Sequence, residues 1–96
     1  MHHYCAIYDI GDDRLRLKVS KWCKKAGLRR LQKSVFVGFV RQRDIDELVK
    51  KVSPLLPTPD RFSVFALNPA DYQVMLDSGV LLPGHLRTRY LTLFDF

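Results

Sequence analysis

Apolar and polar residues follow two different periods along this chain, and together they predict a mixed domain of strands and helices. An apolar run from His3 to Asp9 predicts a first, buried strand. The next segment repeats apolar residues at helical spacing and ends at Gly27, a common helix stop. Asp12 and Asp13 precede that segment, and acidic residues suit the N-terminus of a helix. We therefore expect a strand followed at once by an amphipathic helix.

The remaining residues extend this order of elements. Residues 31–40 are typical of extended chain, and Gly38 predicts a bend that divides them into two short strands. We further expect a second helix from Asp44, an internal strand over residues 62–67, a short helix over 70–77 and a closing strand over 88–94. The fold predicted is α+β, a ferredoxin-like βαββαβ sandwich with an extra C-terminal strand, in one domain over residues 1–96.

The predicted sandwich leaves one face of its sheet without a cover, because both main helices lie on the other face. A second copy of the chain is the simplest cover, so we expect a homodimer. The small size of the chain also favours a homodimer, since a chain of 96 residues buries only about 60–65% of its unfolded surface.

The charge of the chain is concentrated in one segment. Residues 14–33 hold nine Lys and Arg residues and no Asp or Glu, whereas the whole chain carries a net charge of +6. The nine are Arg14, Arg16, Lys18, Lys21, Lys24, Lys25, Arg29, Arg30 and Lys33. Such a patch is typical of a nucleic-acid-binding surface, and we expect Arg14, Lys18, Lys21, Lys24, Lys25 and Lys33 to contact phosphates. The alternative is a solvated helix face that serves solubility.

Other classes of protein receive no support from the composition. The two cysteines, Cys5 and Cys23, form no metal-binding spacing and are expected to be small core residues in a reducing compartment. The start of the chain lacks the charged lead and apolar stretch of a signal peptide. No apolar run approaches the ~18 residues that cross a membrane. We therefore expect a cytoplasmic protein without a membrane partner.

Asp9 is the residue with the clearest candidate chemistry. It ends an apolar strand and faces a concentrated positive charge, which packing alone does not require. If two copies pack sheet to sheet, their Asp9 carboxylates approach each other and repel. A divalent cation removes that repulsion, and Mg²⁺ suits one or two carboxylates with several waters. The alternative is that Asp9 only caps the turn that follows the strand.

Several other polar and aromatic residues are candidate site residues. Ser34 can hydrogen-bond Asp9 or a phosphate, and Phe36 can stack on a base, but a core aromatic beside an edge serine is an equal alternative. His2, His3 and His85 lie near a terminus or in a loop and are weak candidates for ligands or bases.

Two motifs in order resemble the CRISPR-associated Cas-two family. The matching residues are Tyr8-Asp9-Ile10, Asp12-Asp13, a basic helix from Arg14 to Lys25, Gly27-Leu28, and Gln32-Lys33-Ser34-Val35-Phe36-Val37-Gly38. The resemblance covers roughly residues 4–40, and beyond residue 53 no family pattern is recognised. It implies a ferredoxin-like homodimer with Mg²⁺-dependent endonuclease activity on RNA or DNA. It also implies a second role, in which the protein bridges the Cas-one integrase and DNA during spacer acquisition.

The resemblance also assigns roles to individual residues. Asp9 corresponds to the family's metal-binding aspartate, and Arg16 and Arg30 correspond to basic positions tied to activity in some members. Ser34 and Phe36 correspond to the family's Ser-Val-Phe motif, so the resemblance makes these five residues the candidate catalytic set. The chain departs from the family pattern at two positions: Lys18 stands where some members have Arg, and Lys33 replaces a frequent Tyr.

Three functional hypotheses follow from the residues and the resemblance. The first is a Mg²⁺-dependent endonuclease of the CRISPR adaptation machinery. The second is a non-catalytic adaptor that binds nucleic acid and positions integrase subunits, and it is favoured as the physiological role. The third is a related toxin-type ribonuclease with the same small fold.

Overall fold

The structure is a computed structural model that describes residues 1–78. Its elements are β1 (His2–Asp9), α1 (Asp13–Lys25), β2 (Arg29–Gln32), β3 (Val35–Val40), α2 (Gln42–Val52), a 3-10 turn (Ser53–Leu55), β4 (Arg61–Leu67) and α3 (Pro69–Ser78). The predicted closing strand over residues 88–94 and His85 lie outside the described residues. Within residues 1–78, no helix is long and apolar enough to cross a membrane.

The four strands form one antiparallel sheet in the order β2-β3-β1-β4. This order, with α1 and α2 as the crossovers, is the predicted ferredoxin-like α+β arrangement. β1 lies in the middle and pairs with β3 on one side and β4 on the other. Within residues 1–78 β4 pairs with β1 alone, and the strand predicted over residues 88–94 lies outside these residues, so the internal position of β4 stays a prediction.

α1 begins and ends where the sequence predicts. The Asp12 side chain is the N-cap and accepts a hydrogen bond from the Leu15 N–H at 2.8 Å. Gly27, with φ of +100°, ends the helix, and its N–H donates to the Lys24 carbonyl at 3.0 Å. The Leu28 N–H donates to the Cys23 carbonyl, also at 3.0 Å, which completes the hydrogen-bond pair of a Schellman motif.

The break between β2 and β3 corrects the prediction made for Gly38. The chain turns at Lys33 and Ser34, whereas Gly38 lies inside β3 and pairs with Tyr4. A Cβ atom on Gly38 would lie 3.0 Å from the Gly27 carbonyl oxygen and 3.2 Å from the Leu28 Cα. Gly38 is therefore needed for the close approach of another backbone segment rather than for a bend.

Successive residues of β1 point to opposite faces of the sheet and enter two separate cores. Tyr4, Ala6 and Tyr8 belong to the core under α1 and α2, which we call the helix-side face. Cys5 and Ile7 belong to a core on the other face, which we call the second face. Each helix of the first layer contributes an apolar stripe to the helix-side core: Val19 and Cys23 from α1, and Ile45, Leu48 and Val52 from α2.

α3 covers part of the second face, which corrects the expectation that helices lie on one face only. Met75 of α3 is fully buried against Cys5 and Val37, and Tyr72 and Leu76 pack beside it. The sequence predicted this helix over residues 70–77, but it gave no indication of the face on which the helix packs. A local apolar pattern fixes the helix, whereas the connection after β4 decides its side of the sheet.

Candidate metal and nucleic-acid site

Asp9 is the last residue of β1 and is exposed to solvent. It follows Cys5 and Ile7 in the two-residue period of the strand, so its side chain belongs to the second face. Its partner across the sheet is Arg61, the first residue of β4. Within residues 1–78, no hydrogen bond or salt bridge occupies the Asp9 carboxylate. Among the described residues nothing therefore competes with a cation for this carboxylate, and the alternative in which its side chain caps the following turn receives no support.

The turn after Asp9 is held by a different carboxylate, that of Asp60. Its Oδ1 accepts a hydrogen bond from the Gly11 N–H at 3.3 Å, and its buried Oδ2 has no hydrogen-bond partner among residues 1–78. Sequence reasoning missed Asp60, because an aspartate after a proline-rich loop gives no local signal of contact with residues fifty positions earlier. Asp60 connects the loop before β4 to the turn between β1 and α1.

Arg16 lies on the flank of α1 at the same end of β1 as Asp9. Its Nη1 donates to the Ile10 carbonyl at 3.2 Å, and its Nη2 forms an ion pair with Asp13. Both contacts hold the guanidinium over the turn that follows the strand. Arg16 is thus placed near the end of β1, on the helix-side face of the sheet.

Arg30 of β2 is fixed by three neighbours on the same face. Its Nη2 donates to the Ser20 hydroxyl at 2.6 Å, and its guanidinium lies 5.3 Å from the centre of the Phe36 ring. The Tyr8 hydroxyl lies near it and donates a hydrogen bond to the Lys33 carbonyl at 3.4 Å. Burial raises the pKa of Tyr8 above its usual value, the nearby Cys23 raises it further, and Arg30 and Arg16 act in the opposite direction. Tyr8 is therefore a protonated hydroxyl donor at neutral pH.

These residues enclose a shallow cavity of about 320 Å³, which we call the cation pocket. It is lined by Tyr8, Asp13, Arg16, Leu17, Arg30 and Lys33. The structure thus brings together three of the predicted basic residues and adds Tyr8, which the sequence offered only as part of a motif. Asp9 does not line this pocket, because its side chain leaves the strand on the opposite face.

Ser34 and Phe36 differ from their predicted roles. Phe36 is fully buried in the helix-side core, 6.2 Å from the Tyr8 ring, so it is unavailable for stacking on a base. The alternative of a core aromatic is the correct one. Ser34 contacts β1 through its backbone: its carbonyl accepts from the Tyr8 N–H at 3.1 Å. The predicted bond from the Ser34 side chain to Asp9 is not present.

The other predicted phosphate-binding residues are all exposed on α1: Arg14, Lys18, Lys21, Lys24 and Lys25. Within residues 1–78 the only salt bridge is that of Arg16 with Asp13, so these five side chains carry unpaired charge. Lys18 lies 5.8 Å from the Trp22 ring centre in a cation–π contact.

The remaining candidate ligands do not assemble into a metal site. Burial raises the pKa of both Cys5 and Cys23 to about 12, so neither thiol ionises near neutral pH. His3 packs between the rings of Phe39 and Tyr72. Residues 1–78 contain no group of three or more His, Cys, Asp or Glu side chains that could hold a metal ion. One free carboxylate per chain nevertheless fits Mg²⁺, which keeps most of its waters.

The fold and these surfaces define a small ferredoxin-like protein with a free carboxylate at a strand end and the electrostatic footprint of a nucleic-acid binder. A sequence model described as "CRISPR associated protein Cas2" matches residues 1–75. The chain therefore belongs to the Cas2 family, as its resemblance in residues 4–40 predicted. This membership favours the CRISPR-associated hypotheses over a toxin-type ribonuclease.

Individual relatives agree with the family match. The chain is 37% identical over 76 residues to "CRISPR-associated endoribonuclease Cas2" of Korarchaeum cryptofilum, covering 76% of this chain and 80% of that protein. It is 33% identical over 64 residues to "CRISPR-associated endoribonuclease Cas2 1" of Archaeoglobus fulgidus, 67% of each chain. The crystal structure of the hypothetical protein TT1823 from Thermus thermophilus superposes with a TM-score of 0.62 at 29% identity, covering 70% of this chain and 82% of that one.

Proposed function

We propose that this protein is a cytoplasmic endonuclease of the CRISPR adaptation machinery, active as a homodimer with Mg²⁺ and hydrolysing phosphodiester bonds in RNA or DNA. The observation that carries the proposal is the exposed, unpaired carboxylate of Asp9 at the end of a central strand. The names of the archaeal relatives, which are endoribonucleases, support it.

The proposed metal site needs two copies of the chain. Asp9 belongs to the second face, and α3 covers that face only in part: Phe39 of β3 is 50% exposed and Val74 of α3 is 49% exposed. Packing two copies about a two-fold axis through this face would bring Asp9 close to Asp9 of the partner subunit. The two Asp9 carboxylates would together hold Mg²⁺, a cation that prefers oxygen ligands.

The chain's own residues have distinct tasks in this proposal. When bound, Mg²⁺ supplies a bound water as nucleophile and neutralises charge on a phosphoryl oxygen. Asp9 holds the metal on a rigid strand, so its position does not depend on a mobile loop. Arg16, Arg30 and Lys33, which line the cation pocket on the helix-side face, would bind phosphates of the same nucleic acid away from the scissile bond. Asp60 fixes the Gly11 turn and thereby the end of β1.

A second candidate function is the non-catalytic adaptor, which binds nucleic acid and positions the Cas-one integrase. One observation favours it: Asp9 belongs to the second face, whereas the unpaired cations of α1 lie on the outside of the helix layer. Nucleic acid bound to α1 is therefore not delivered to Asp9 by that contact. We retain the adaptor as the physiological role, with nuclease chemistry as an accompanying capability.

The test compares Asp9→Asn with Asp46→Asn, an exposed aspartate on α2 that serves as a matched control. We expect Asp9→Asn to lower Mg²⁺-dependent cleavage of RNA and DNA oligonucleotides by about 100-fold or more, since a metal contributes several kcal/mol to the transition state. The loss of Mn²⁺ binding, followed by electron paramagnetic resonance, gives a readout independent of cleavage. Equal cleavage by the two variants would contradict the nuclease proposal.

Spacer acquisition in cells separates the two functions. Full acquisition with Asp9→Asn would make cleavage dispensable and support the adaptor. Acquisition lost with Asp9→Asn and kept with Asp46→Asn would assign the metal site a physiological role.

A further inference from the structure

Ser20 differs in chemistry from the other residues that α1 buries. It is 3% exposed, and among the described residues it is the one buried side chain that is neither apolar, aromatic nor cysteine. A buried hydroxyl needs a hydrogen-bond partner, because leaving it unpaired costs free energy. The partner comes from another element: the Ser20 Oγ accepts a hydrogen bond from Arg30 Nη2 at 2.6 Å. This bond joins the interior of α1 to a cation of β2.

Arg30 is an exposed residue, yet its side chain is restricted on two sides. Its guanidinium lies 5.3 Å from the ring centre of Phe36, its cross-strand neighbour, and it donates to the buried Ser20 hydroxyl. The register between β2 and β3 shifts directly after Arg30, and such irregularities redirect side chains beside functional sites. The Phe36 ring and the Ser20 hydroxyl together select one orientation of a side chain that otherwise has many rotamers.

This orientation places Arg30 in the cation pocket, which Arg16 also lines. Arg16 and Ser20 are four residues apart on α1, so they lie on the same side of the helix. Two guanidinium groups in one pocket repel each other, and an exposed arginine without an anchor turns away into water. The bond to Ser20 opposes this repulsion and uses only one of the N–H donors of Arg30. The other donors remain for an anion in the pocket.

We infer that Ser20 is a positioning residue, whose buried hydroxyl holds the Arg30 guanidinium in the cation pocket so that Arg30 and Arg16 bind the same phosphate. The inference rests on the proposed binding of nucleic-acid phosphates by these two arginines. Ser20 is buried and does not touch the phosphate itself, so it acts through Arg30. A change at Ser20 should therefore weaken phosphate binding only while Arg30 is present.

The test compares two substitutions that remove the hydroxyl acceptor but leave different volumes. Ser20→Ala deletes the hydroxyl, whereas Ser20→Cys keeps the side-chain size and offers only a weak acceptor. The control is Val19→Ala, which removes volume from a fully buried neighbour on α1 but no polar group. Circular dichroism and urea unfolding, in reducing buffer, check that each variant is folded.

Affinity is measured by fluorescence anisotropy with labelled single-stranded RNA and DNA, in the absence of Mg²⁺ so that cleavage does not occur. We expect Ser20→Ala and Ser20→Cys to weaken binding by about three- to ten-fold, since a hydrogen bond to a charged group is a strong one. Val19→Ala should keep wild-type affinity although it unfolds at lower urea concentration. Arg30→Gln should weaken binding at least as much as Ser20→Ala, and adding Ser20→Ala to it should cause no further loss.

Three results would overturn the inference and leave the phosphate role of Arg30 intact. Normal binding by Ser20→Ala, with weak binding by Arg30→Gln, would show that Arg30 needs no anchor. Normal binding by Ser20→Cys, with weak binding by Ser20→Ala, would assign the effect to packing. A further loss in the double variant would show that Ser20 acts through the fold.

Failure of the proposed function gives a different result. Normal binding by Arg30→Gln would refute the proposed phosphate role of Arg30 and thereby remove the basis of the inference. Because Mg²⁺ is absent, the outcome for the nuclease site at Asp9 does not enter any of these measurements.

Discussion

The helix-side face and the second face of β1 carry different parts of the proposed chemistry. On the helix-side face, Tyr4, Ala6 and Tyr8 pack under α1 and α2, and the cations lie in and around that layer. On the second face, Cys5 and Ile7 pack in a smaller core under α3, and Asp9 extends their period to the strand end. A shift of one residue along the strand thus places the cations and the Asp9 carboxylate on opposite faces of the sheet.

This separation has a functional consequence. The proposed binding to α1 uses charge that one chain supplies by itself, whereas the proposed metal site at Asp9 needs a second copy. The two activities can therefore be lost or kept independently. The Asp9→Asn test addresses the function of the second face, and three further experiments address the stability of each face.

The largest effect expected is on stability, from shortening two phenylalanines of β3 that belong to opposite faces. Phe36→Ala removes a fully buried ring from the helix-side core and should lower the free energy of unfolding by about 3–5 kcal/mol. Phe39→Ala, on the second face and 50% exposed, should cost less than about 1.5 kcal/mol. Urea unfolding at two protein concentrations measures both. Equal losses would show that the second face is as closely packed as the helix-side face.

A smaller effect is expected from adding a methyl group at Gly38 on the helix-side face. Its Cβ would lie 2.9 Å from Leu28 Cδ2 and 3.0 Å from the Gly27 carbonyl oxygen, and the backbone cannot move aside easily. Gly38→Ala should therefore destabilise the fold by about 1–3 kcal/mol. Gly11→Ala is the control, because its Cβ would lie 3.9 Å from the nearest atom, Asp60 Oδ1. A harmless Gly38→Ala would disprove the close approach of the Gly27-Leu28 turn to β3.

The smallest effect expected is a loss of stability at alkaline pH. Each face contributes one buried thiol to it, Cys23 on the helix-side face and Cys5 on the second face. Burial raises the pKa of Cys5 and of Cys23 from 9.0 to about 12. Below pH 9 each thiol is protonated in the folded and in the unfolded chain. Above pH 9 the thiols of the unfolded chain lose their protons, whereas the buried thiols of the folded chain retain them. Stability should therefore fall as the pH rises from 9 towards 12, by on the order of 1 kcal/mol for each thiol by pH 10.

Single variants assign this pH dependence to a face. Cys5→Ala should remove the part from the second face, and Cys23→Ala should remove the part from the helix-side face. Tyr8, whose pKa burial also raises, leaves a residual dependence above pH 10 in the double variant. A Cys5 thiol that reacts with a disulfide reagent in the folded protein at pH 8 would show that α3 does not close the second face.

Sequence alone predicted the features that depend on neighbouring residues. The boundaries of α1 follow from the Asp12 cap and the Gly27 stop, both of which act within one helical turn. The order of strands and helices follows from apolar periods, and the cation cluster follows from counting residues. The prediction that Cys5 and Cys23 are core residues was correct for the same reason, since each lies within an apolar period.

Tertiary structure decided what depends on segments that are distant along the chain. Phe36 is a core residue because β3 aligns it beside Tyr8, and Asp60 reaches Gly11 across forty-nine residues. The strand break lies at Lys33 and Ser34, while Gly38 stays within β3 to admit the Gly27-Leu28 turn. Asp9 and the cations of α1 are close in sequence, yet strand alternation and helix rotation direct them to different surfaces. The sequence determines which residues each strand and helix carries, and the strand pairing determines which of those residues contact one another.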